Sequence, residues 1–239
     1  MKGHPLPVAI LSGGLATRLR PLTETVPKAL IEVNGEPFLA HQLRLLSSRG
    51  IESVVLCVGY RGEMIRDYVG DGSRFGLHAD VLFDGPILLG TAGAIRHVLP
   101  LLGEDFFVLY GDSYLPCDYS AVAAEFLRSG KRGLMTVFRN DGKFDASNIE
   151  YRDGQIVRYD KQSTTPAMRY IYYGLGAFRA GVFAELRDGI PCDLAAVYQS
   201  LLSAGDLAAF EVPERVYEIG SPCGLDETSE YLRRASAKP

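Results

Sequence analysis

The 239-residue sequence predicts an α/β fold with a mixed, mostly parallel central sheet. Apolar runs at residues 8–11, 53–58 and 106–110 are each followed closely by glycine, as expected of buried parallel strands. Between the first two runs, residues 37–49 carry leucines at helical spacing, which predicts a crossover helix. Strand, loop, helix and strand in that order predict that successive strands run parallel.

Size and charge limit the number of domains and the kind of ligand. A chain that is 47% hydrophobic and 23% charged can bury a full core, so we expect a single domain over residues 1–239. The formal net charge of -4 argues against a broad basic face for nucleic acid or anionic lipid. Functional positive charge is therefore expected to be local, which suits a phosphate ligand.

The four cysteines are widely spaced and form no C-x-x-C pair, which argues against a zinc knuckle or a thioredoxin-type site. We expect them to be free thiols in a cytoplasmic protein. The N-terminal apolar run is too short for a signal peptide, and no segment approaches the roughly 20 apolar residues of a membrane-spanning helix. We therefore expect no membrane association.

Helical spacing, alternation and turn residues predict the remaining elements. Asp118 and Asp193 stand where helix N-caps are expected, and Asp153-Gly154 is typical of a hairpin turn. The predicted helices cover residues 62–69, 118–128, 194–204 and 224–234. The predicted strands cover residues 80–83, 133–139, 148–151, 155–159, 171–178, 208–212 and 216–219.

The most informative stretch is VAILSGGLATRLRPLTETVPKAL, residues 8–30. Gly13 and Gly14 directly follow the first strand, so an anion can approach their backbone N–H groups. Arg18 and Lys28 add positive charge nearby, and together these features predict a polyphosphate site. The spacing fits neither a Walker phosphate loop nor a dinucleotide fingerprint. The structural alternative is a glycine turn after an edge strand with two solvated cations.

The pattern G-G-x-x-T-R-L-x-P-L-T-x-x-x-P-K in this stretch resembles the signature of the sugar-1-phosphate nucleotidylyltransferases. That signature usually has Gly where this chain has Ala16, which adds one methyl group beside the expected phosphate site. The resemblance implies a Rossmann-like three-layer sandwich of the nucleotidyltransferase A type. It also implies transfer of a nucleoside monophosphate from a nucleoside triphosphate to a sugar 1-phosphate, with release of pyrophosphate.

Further motifs extend the resemblance to the nucleotide and a metal ion. G-T-A-G-A at residues 90–94 would line the base and ribose, and G-D-S-Y at residues 111–114 would carry a metal-binding Asp112. Glu218 stands where the family usually has the second metal-binding Asp. The structural alternatives are an ordinary strand-to-helix loop and a turn-capping Asp. The resemblance assigns the nucleotide to Leu11, Gly13, Gly14, Thr17, Gly90, Thr91, Gly93 and Asp112, catalysis to Arg18, Lys28 and Lys161, and Mg²⁺ to Asp112 and Glu218.

The acceptor is expected in the second half of the chain. Asp160-Lys161 follows a predicted strand where the family usually has Glu-Lys-Pro; there the Lys contacts the sugar phosphate and the acid contacts sugar hydroxyls. Gly174, in the run IYYGLGAF, would allow close approach of the backbone to the acceptor. A solvated ion pair and a glycine bulge are the structural alternatives. The predicted sugar-phosphate-binding residues are Asn148, Asp160, Lys161 and Gly174.

These assignments divide the chain into a nucleotide-binding half, about residues 1–139, and an acceptor half, about residues 140–239. Similarity to short bacterial members of the family favours GTP with a manno-configured sugar or heptose 1-phosphate. One alternative is a uridylyl- or thymidylyltransferase for a gluco-configured or N-acetylated sugar 1-phosphate. Another, from a different class, is a catalytically silent nucleotide-binding regulatory module. The expected partners are the NTP and the sugar 1-phosphate. A homo-oligomer is compatible with the aromatic residues at 170–173, which core packing explains equally well.

Overall fold

The computed structural model describes residues 5–14, 17–85 and 87–236. Strands and helices alternate along most of this length. The helices are α1 (Phe38–Ser48), α2 (Gly62–Val69), α3 (Gly90–Val98), α4 (Tyr119–Ser129), α5 (Ala180–Ala184), α6 (Leu194–Ser203) and α7 (Pro222–Ser236). The strands are β1 (Val8–Ser12), β2 (Glu32–Val33), β3 (Glu36–Pro37), β4 (Ser53–Val58), β5 (His78–Phe83), β6 (Asp105–Tyr110), β7 (Ser113–Tyr114), β8 (Gly133–Arg139), β9 (Ile149–Arg152), β10 (Gln155–Tyr159), β11 (Tyr170–Arg179), β12 (Leu207–Glu211) and β13 (Tyr217–Glu218).

Within the described residues, nine strands form one sheet. Its main path is β10-β9-β11-β6-β1-β4-β5, and β8 and β12 extend it from the other side of β11. The strands β6, β1, β4 and β5 are parallel, whereas β11 is antiparallel to both β6 and β8. The predicted mixed central sheet is confirmed, and its parallel part carries the first half of the chain.

Helices cover both faces of the sheet. Alternate residues of β1 point to opposite faces: Val8 and Ile10 join one buried cluster, and Ala9 joins the other. The first cluster includes residues of α1, α2 and α4, and the second includes residues of α3, α5 and α6. Helices, sheet and helices therefore form three layers, which confirms the predicted sandwich.

Several local predictions are confirmed. The Asp118 carboxylate accepts hydrogen bonds from Ser120 N and Ala121 N, at 3.0 and 3.1 Å, and so caps α4. The Asp193 carboxylate caps α6 in the same way, through Ala195 N at 2.6 Å. The β9–β10 hairpin turns at Asp153-Gly154, where both residues have positive φ angles of 48° and 78°.

Three predicted boundaries are wrong. The glycine-rich segment at residue 90 is the first turn of α3 rather than a loop before it. The strand predicted at 216–219 is reduced to β13, which pairs with β7 outside the main sheet. The helix α7 begins at Pro222 because proline is tolerated in the first turn of a helix.

The remaining expectations concern the whole chain. No helix of the described ranges combines the length and the apolar character that crossing a membrane requires. Ala16, where the chain departs from the family signature, lies outside the described residues. The single domain with two halves that meet near residue 139 stays a prediction.

Candidate active site

The carboxyl ends of β1, β4, β5 and β6 lie at one edge of the sheet. Leu11 of β1 pairs with Cys57 of β4 and with Tyr110 of β6, so the segments after these strands start at the same level. A cavity of about 270 Å³, here called the base cavity, opens at this edge. Open α/β sheets bind ligands at this position.

The base cavity is lined mainly by apolar side chains and by the backbone of two glycines. Apolar side chains and the buried Cys57 thiol face it, and burial raises the pKa of that thiol, which keeps it protonated. Gly13 and Gly14 also line it. The apolar lining residues are Leu11, Ala29, Leu88, Ala94 and Tyr110. A flat, partly apolar ring suits such a wall.

Asp84 is a lining residue that sequence reasoning missed. It directly follows β5, and a Cβ built on Gly13 would lie only 2.8 Å from its Oδ2 atom. Burial raises the pKa of the Asp84 carboxyl, and the nearby His97 partly offsets this. The available signal was its place after a predicted strand at residues 80–83, the same rule that selected Asp112.

A second cavity of about 300 Å³, here called the phosphate cavity, adjoins the first. Lys28 and Asp112 line both cavities, so the two cavities meet at this pair of side chains. The other lining residues of the phosphate cavity are Thr17, Arg18, Glu218 and Gly220. The structure therefore brings together the predicted cations of the first loop and both predicted metal ligands.

A two-stranded ribbon sets the two carboxylates side by side. Ser113 of β7 pairs with Glu218 of β13, and Ile219 N donates to the Asp112 carbonyl oxygen at 2.9 Å. Asp112 comes from the end of the central strand β6, whereas Glu218 comes from near the end of the chain. The ribbon thus completes the site across a long separation in sequence.

Lys28 and Asp112 form an ion pair at the junction of the cavities. Lys28 Nζ lies 2.7 Å from Asp112 Oδ2, and the side chains are 20% and 30% exposed. The hydroxyl of Ser113 donates to Asp112 Oδ1 at 3.2 Å. The Asp112 carboxylate is thus held on both oxygens.

The longer side chain of Glu218 is accommodated by glycines. Its Oε2 accepts from Gly220 N at 2.7 Å, and its Oε1 accepts from the Ser221 hydroxyl at 3.2 Å. A Cβ on Gly220 would lie 2.2 Å from Oε2, and one on Gly224 would lie 2.7 Å from Oε1. Glycine at both positions leaves room for the carboxylate to fold over its own loop.

These residues fit a magnesium ion held jointly with a nucleotide. No group of three or more His, Cys, Asp or Glu side chains that could hold a metal occurs among the described residues. Mg²⁺ is commonly bound by one or two carboxylates together with substrate phosphates and water. Asp112 and Glu218 supply two hard oxygen donors in a polar cavity, and the remaining ligands would have to come from the substrate and solvent.

The first turn of α3 meets the segment around residue 192. Ala92 N donates to the Cys192 carbonyl oxygen at 2.9 Å, and Leu194 N donates to Thr91 Oγ1 at 2.7 Å. Gly90 has a φ of 69°, and a Cβ there would lie 2.6 Å from the Cys192 carbonyl oxygen. Gly90 and Thr91 of this turn also line the base cavity.

Gly93 does not line either cavity. A Cβ at this position would meet Leu89 at 3.0 Å and the Ile190 carbonyl oxygen at 3.1 Å. The glycine therefore permits close packing of α3 against the segment at residue 190. Its predicted contact with the nucleotide stays a prediction.

The predicted acceptor residues lie outside the base and phosphate cavities. Asp160 Oδ1 accepts from the backbone N–H groups of Ser163 and Gln162, both at 2.9 Å, and these bonds lower the pKa of its carboxyl. Lys161 is exposed. Gly174, with a φ of 107°, lies in a bulge of β11, which matches the structural alternative.

A third cavity, of about 400 Å³, lies between the loops that carry the predicted acceptor residues. Ser147, next to Asn148, lines one side, and Thr164, three residues after Lys161, lines another. Within the described residues, Asn148 Oδ1 is a buried acceptor without a hydrogen-bond partner.

A family model described as nucleotidyl transferase matches residues 8–147. The chain belongs to the nucleotidyl transferase family. The match includes the glycine loop, Lys28, Asp84 and Asp112. The predicted family is thus confirmed.

Two curated relatives of the nucleotidyl transferase have different acceptors in their names. A mannose-1-phosphate guanyltransferase of Neurospora crassa is 29% identical over 96% of this chain, which spans 65% of that protein's length. An N-acetylmuramate alpha-1-phosphate uridylyltransferase of Neisseria meningitidis is 28% identical over 91% of this chain and 94% of its own. Sequence similarity therefore supports the chemistry more strongly than the choice of base or sugar.

A solved structure supports the fold. The crystal structure of a putative glucose-1-phosphate thymidylyltransferase from Bacillus anthracis superposes with a TM-score of 0.85 at 20% identity. The match covers 95% of each chain. The layered fold of this chain is thus shared with that structure.

The Thr91 hydroxyl is predicted to stabilise the fold rather than bind the nucleotide. Thr91→Val should lower the free energy of unfolding by about 1–2 kcal/mol, because Leu194 N–H loses its acceptor in a partly buried place. Urea denaturation measures the change. Thr91→Ser, which keeps the hydroxyl, should behave like the unchanged protein; weaker nucleotide binding of Thr91→Val at unchanged stability would contradict this assignment.

Proposed function

We propose that this nucleotidyl transferase moves a nucleoside monophosphate from an NTP to a sugar 1-phosphate, in a Mg²⁺-dependent reaction that releases pyrophosphate. The observation that carries the proposal is the junction of an apolar cavity with a polar one at Lys28 and Asp112. The first suits a base and ribose, and the second offers two cations and two carboxylates to a triphosphate. The α-phosphorus would lie near the junction.

The reaction needs alignment and charge neutralisation more than proton transfer. An anionic phosphate oxygen of the sugar 1-phosphate attacks the α-phosphorus, a new oxygen–phosphorus bond forms, and the bond to the β-phosphate oxygen breaks. Arg18 and Lys28 would stabilise the charge that collects on pyrophosphate. Bound Mg²⁺, held by Asp112 and Glu218, would neutralise the phosphate oxygens. No general base is required because the nucleophile is already an anion.

Asp84 supports guanine as the base. A carboxylate offers two acceptor oxygens side by side, and the guanine N1–H and N2–H₂ groups offer two donors with the same spacing. Uracil and thymine offer a single N–H between two carbonyl oxygens, which a carboxylate would repel. The name of the Neurospora relative points the same way. We therefore propose GTP as the donor.

The acceptor is proposed to be a manno-configured sugar or heptose 1-phosphate, with Lys161 on its phosphate. The third cavity lies between the loops that carry Asn148, Asp160 and Lys161, which supports an acceptor in this region. The alternative is a uridylyl- or thymidylyltransferase for a gluco-configured or N-acetylated sugar 1-phosphate, and the Neisseria relative favours it. A silent regulatory module is disfavoured because Arg18, Lys28 and Asp112 converge in one cavity.

The proposal is tested by pyrophosphate release from a grid of substrates. GTP, UTP, dTTP, CTP and ATP are each combined with mannose, glucose, manno-heptose and N-acetylated sugar 1-phosphates, with Mg²⁺ present. We expect the strongest release with GTP and a manno-configured acceptor. Release confined to UTP or dTTP would favour the alternative donors, and no release from folded protein would favour the silent module.

Arg18→Ala should lower kcat on the order of a hundredfold or more, because a preorganised cation would be removed from the leaving pyrophosphate. Steady-state pyrophosphate release with the best substrate pair measures the loss. The matched control is Arg20→Ala, which removes an exposed guanidinium from the same turn but does not line either of these two cavities. Near-normal turnover of Arg18→Ala, or an equal loss in the control, would exclude this role.

Asp84→Asn should reduce the preference for GTP over UTP by roughly tenfold to a hundredfold in kcat/KM, because one acceptor oxygen becomes a donor that opposes guanine. The ratio of kcat/KM for the two nucleotides measures this. Asp80→Asn, on the strand that leads to Asp84, is the control and should keep the ratio. An unchanged ratio in Asp84→Asn would show that the carboxylate does not read the base.

A further inference from the structure

The ammonium group of Lys28 stands where a metal ion would bind. Its Nζ atom lies 2.7 Å from Asp112 Oδ2 and 3.5 Å from the position of a Cβ on Gly220. Glu218 Oε2 lies 2.2 Å from that same position. The ammonium therefore forms an ion pair with Asp112 and lies within about 6 Å of Glu218 Oε2, near both carboxylates that the metal would use.

We propose that Lys28 acts as a built-in cation in the nucleotide-free protein, so that a divalent metal enters the site only together with the triphosphate. This inference rests on the proposed function. In the free protein, the Lys28 ammonium compensates two carboxylates that would otherwise repel each other in a partly buried cavity. A metal ion arriving alone would meet the ammonium charge at short range and would have no phosphate ligand.

The triphosphate supplies Lys28 with a new partner. Lys28 lines the base cavity and the phosphate cavity, so its side chain can turn from Asp112 toward phosphate oxygens. Its backbone is held in a 3₁₀ turn in which Leu30 N donates to the Pro27 carbonyl oxygen at 2.8 Å. The buried Ala29 anchors this turn. The exchange therefore requires a side-chain movement only.

This exchange determines that the nucleotide binds as its complex with the metal ion. Asp112 becomes available to a metal ion at the moment when Lys28 moves to the phosphates. The chain would therefore take up the metal–nucleotide complex and have little affinity for the free metal. Lys28 would serve two successive roles, first as counter-ion of the carboxylates and then as a ligand of the phosphates.

The test measures metal binding without turnover. Mn²⁺ binding to the nucleotide-free protein is followed by the electron paramagnetic resonance signal of free Mn²⁺, and the effect of Mg²⁺ alone on the melting temperature is recorded. The unchanged protein should bind Mn²⁺ weakly and show no shift with Mg²⁺. Lys28→Met should bind Mn²⁺ on the order of tenfold tighter or more, because the competing positive charge is gone.

Three variants serve as controls. Lys28→Arg keeps a cation beside Asp112 and should bind Mn²⁺ as weakly as the unchanged protein. Lys131→Met removes a lysine that donates to the Gly205 carbonyl oxygen outside the site, and it should also change nothing. The double variant Lys28→Met with Asp112→Asn should lose the gain, which would place the new metal at Asp112.

The outcomes separate this inference from the proposed function. Tight Mn²⁺ binding by the unchanged protein, or no gain in folded Lys28→Met, would overturn the inference even if the substrate grid shows transfer. If Lys28→Met does not fold, the other two proteins still test the inference. Tight Mn²⁺ binding by the unchanged protein or by Lys28→Arg overturns the inference, and weak Mn²⁺ binding by both supports it. Absence of transfer in the grid, with the expected metal binding, would instead reject the proposed function alone.

Discussion

The parallel register of β1 with β4 and β6 is the constraint on which the site depends. Both faces of β4 are buried: Val54 and Leu56 belong to one core cluster, and Val55 and Cys57 belong to the other. A shift by one residue would exchange these faces and bring side chains of different volume into each closely packed cluster, so packing specifies the register. The level at which Gly13, Asp84 and Gly111 leave the sheet is therefore determined by packing far from the ligand. The base cavity is a consequence of that alignment.

The balance of charge in the phosphate cavity is the second constraint. Two carboxylates would repel each other, and two cations without acids would bind anions indiscriminately. The ion pair between Lys28 and Asp112 keeps the cavity close to neutral, and the hydrogen bonds to Glu218 hold the second carboxylate in its own loop. Because Gly220 has no side chain, there is space for the longer glutamate at a position where the family usually has aspartate. The departure from the family pattern thus has a local steric explanation.

Local patterns predicted the strands, the helix caps and the hairpin turn, because each depends on neighbouring residues. They also selected Lys28 and Asp112, since a continuous motif or a strand end marks each of them, and both side chains line the same cavities. The roles of the two residues stay predictions. The partner of the first turn of α3 was not predictable in this way: Cys192 lies far along the chain, and only the fold shows that its carbonyl oxygen accepts the Ala92 N–H group.

Asp84 could have been predicted from its position after a strand, as Asp112 was, but it does not belong to a recognisable sequence motif. Asp160 is the opposite case, because a contiguous motif assigned it to the acceptor, and the structure adds that its Oδ1 accepts two N–H groups of its own loop while Oδ2 pairs with Arg158. Its role at the acceptor stays a prediction. The difference lies in backbone geometry. A sequence pattern identifies the residue type. It does not show whether the side-chain oxygen atoms already accept hydrogen bonds from nearby backbone N–H groups.

The two halves inferred from the sequence are interleaved in space. The Cys192 carbonyl oxygen holds the first turn of α3 at the base cavity, while Tyr198, farther along on α6, hydrogen-bonds Tyr172 of β11 at 3.0 Å. Tyr172 in turn makes an edge contact with Tyr110, which lines the base cavity, at a ring separation of 6.0 Å. A continuous set of packed groups therefore joins the wall of the base cavity to the strand beside the acceptor loops. Because closely packed interiors transmit displacement, the shape of the base cavity depends on Tyr172, Cys192 and Tyr198 as well as on the glycine loop.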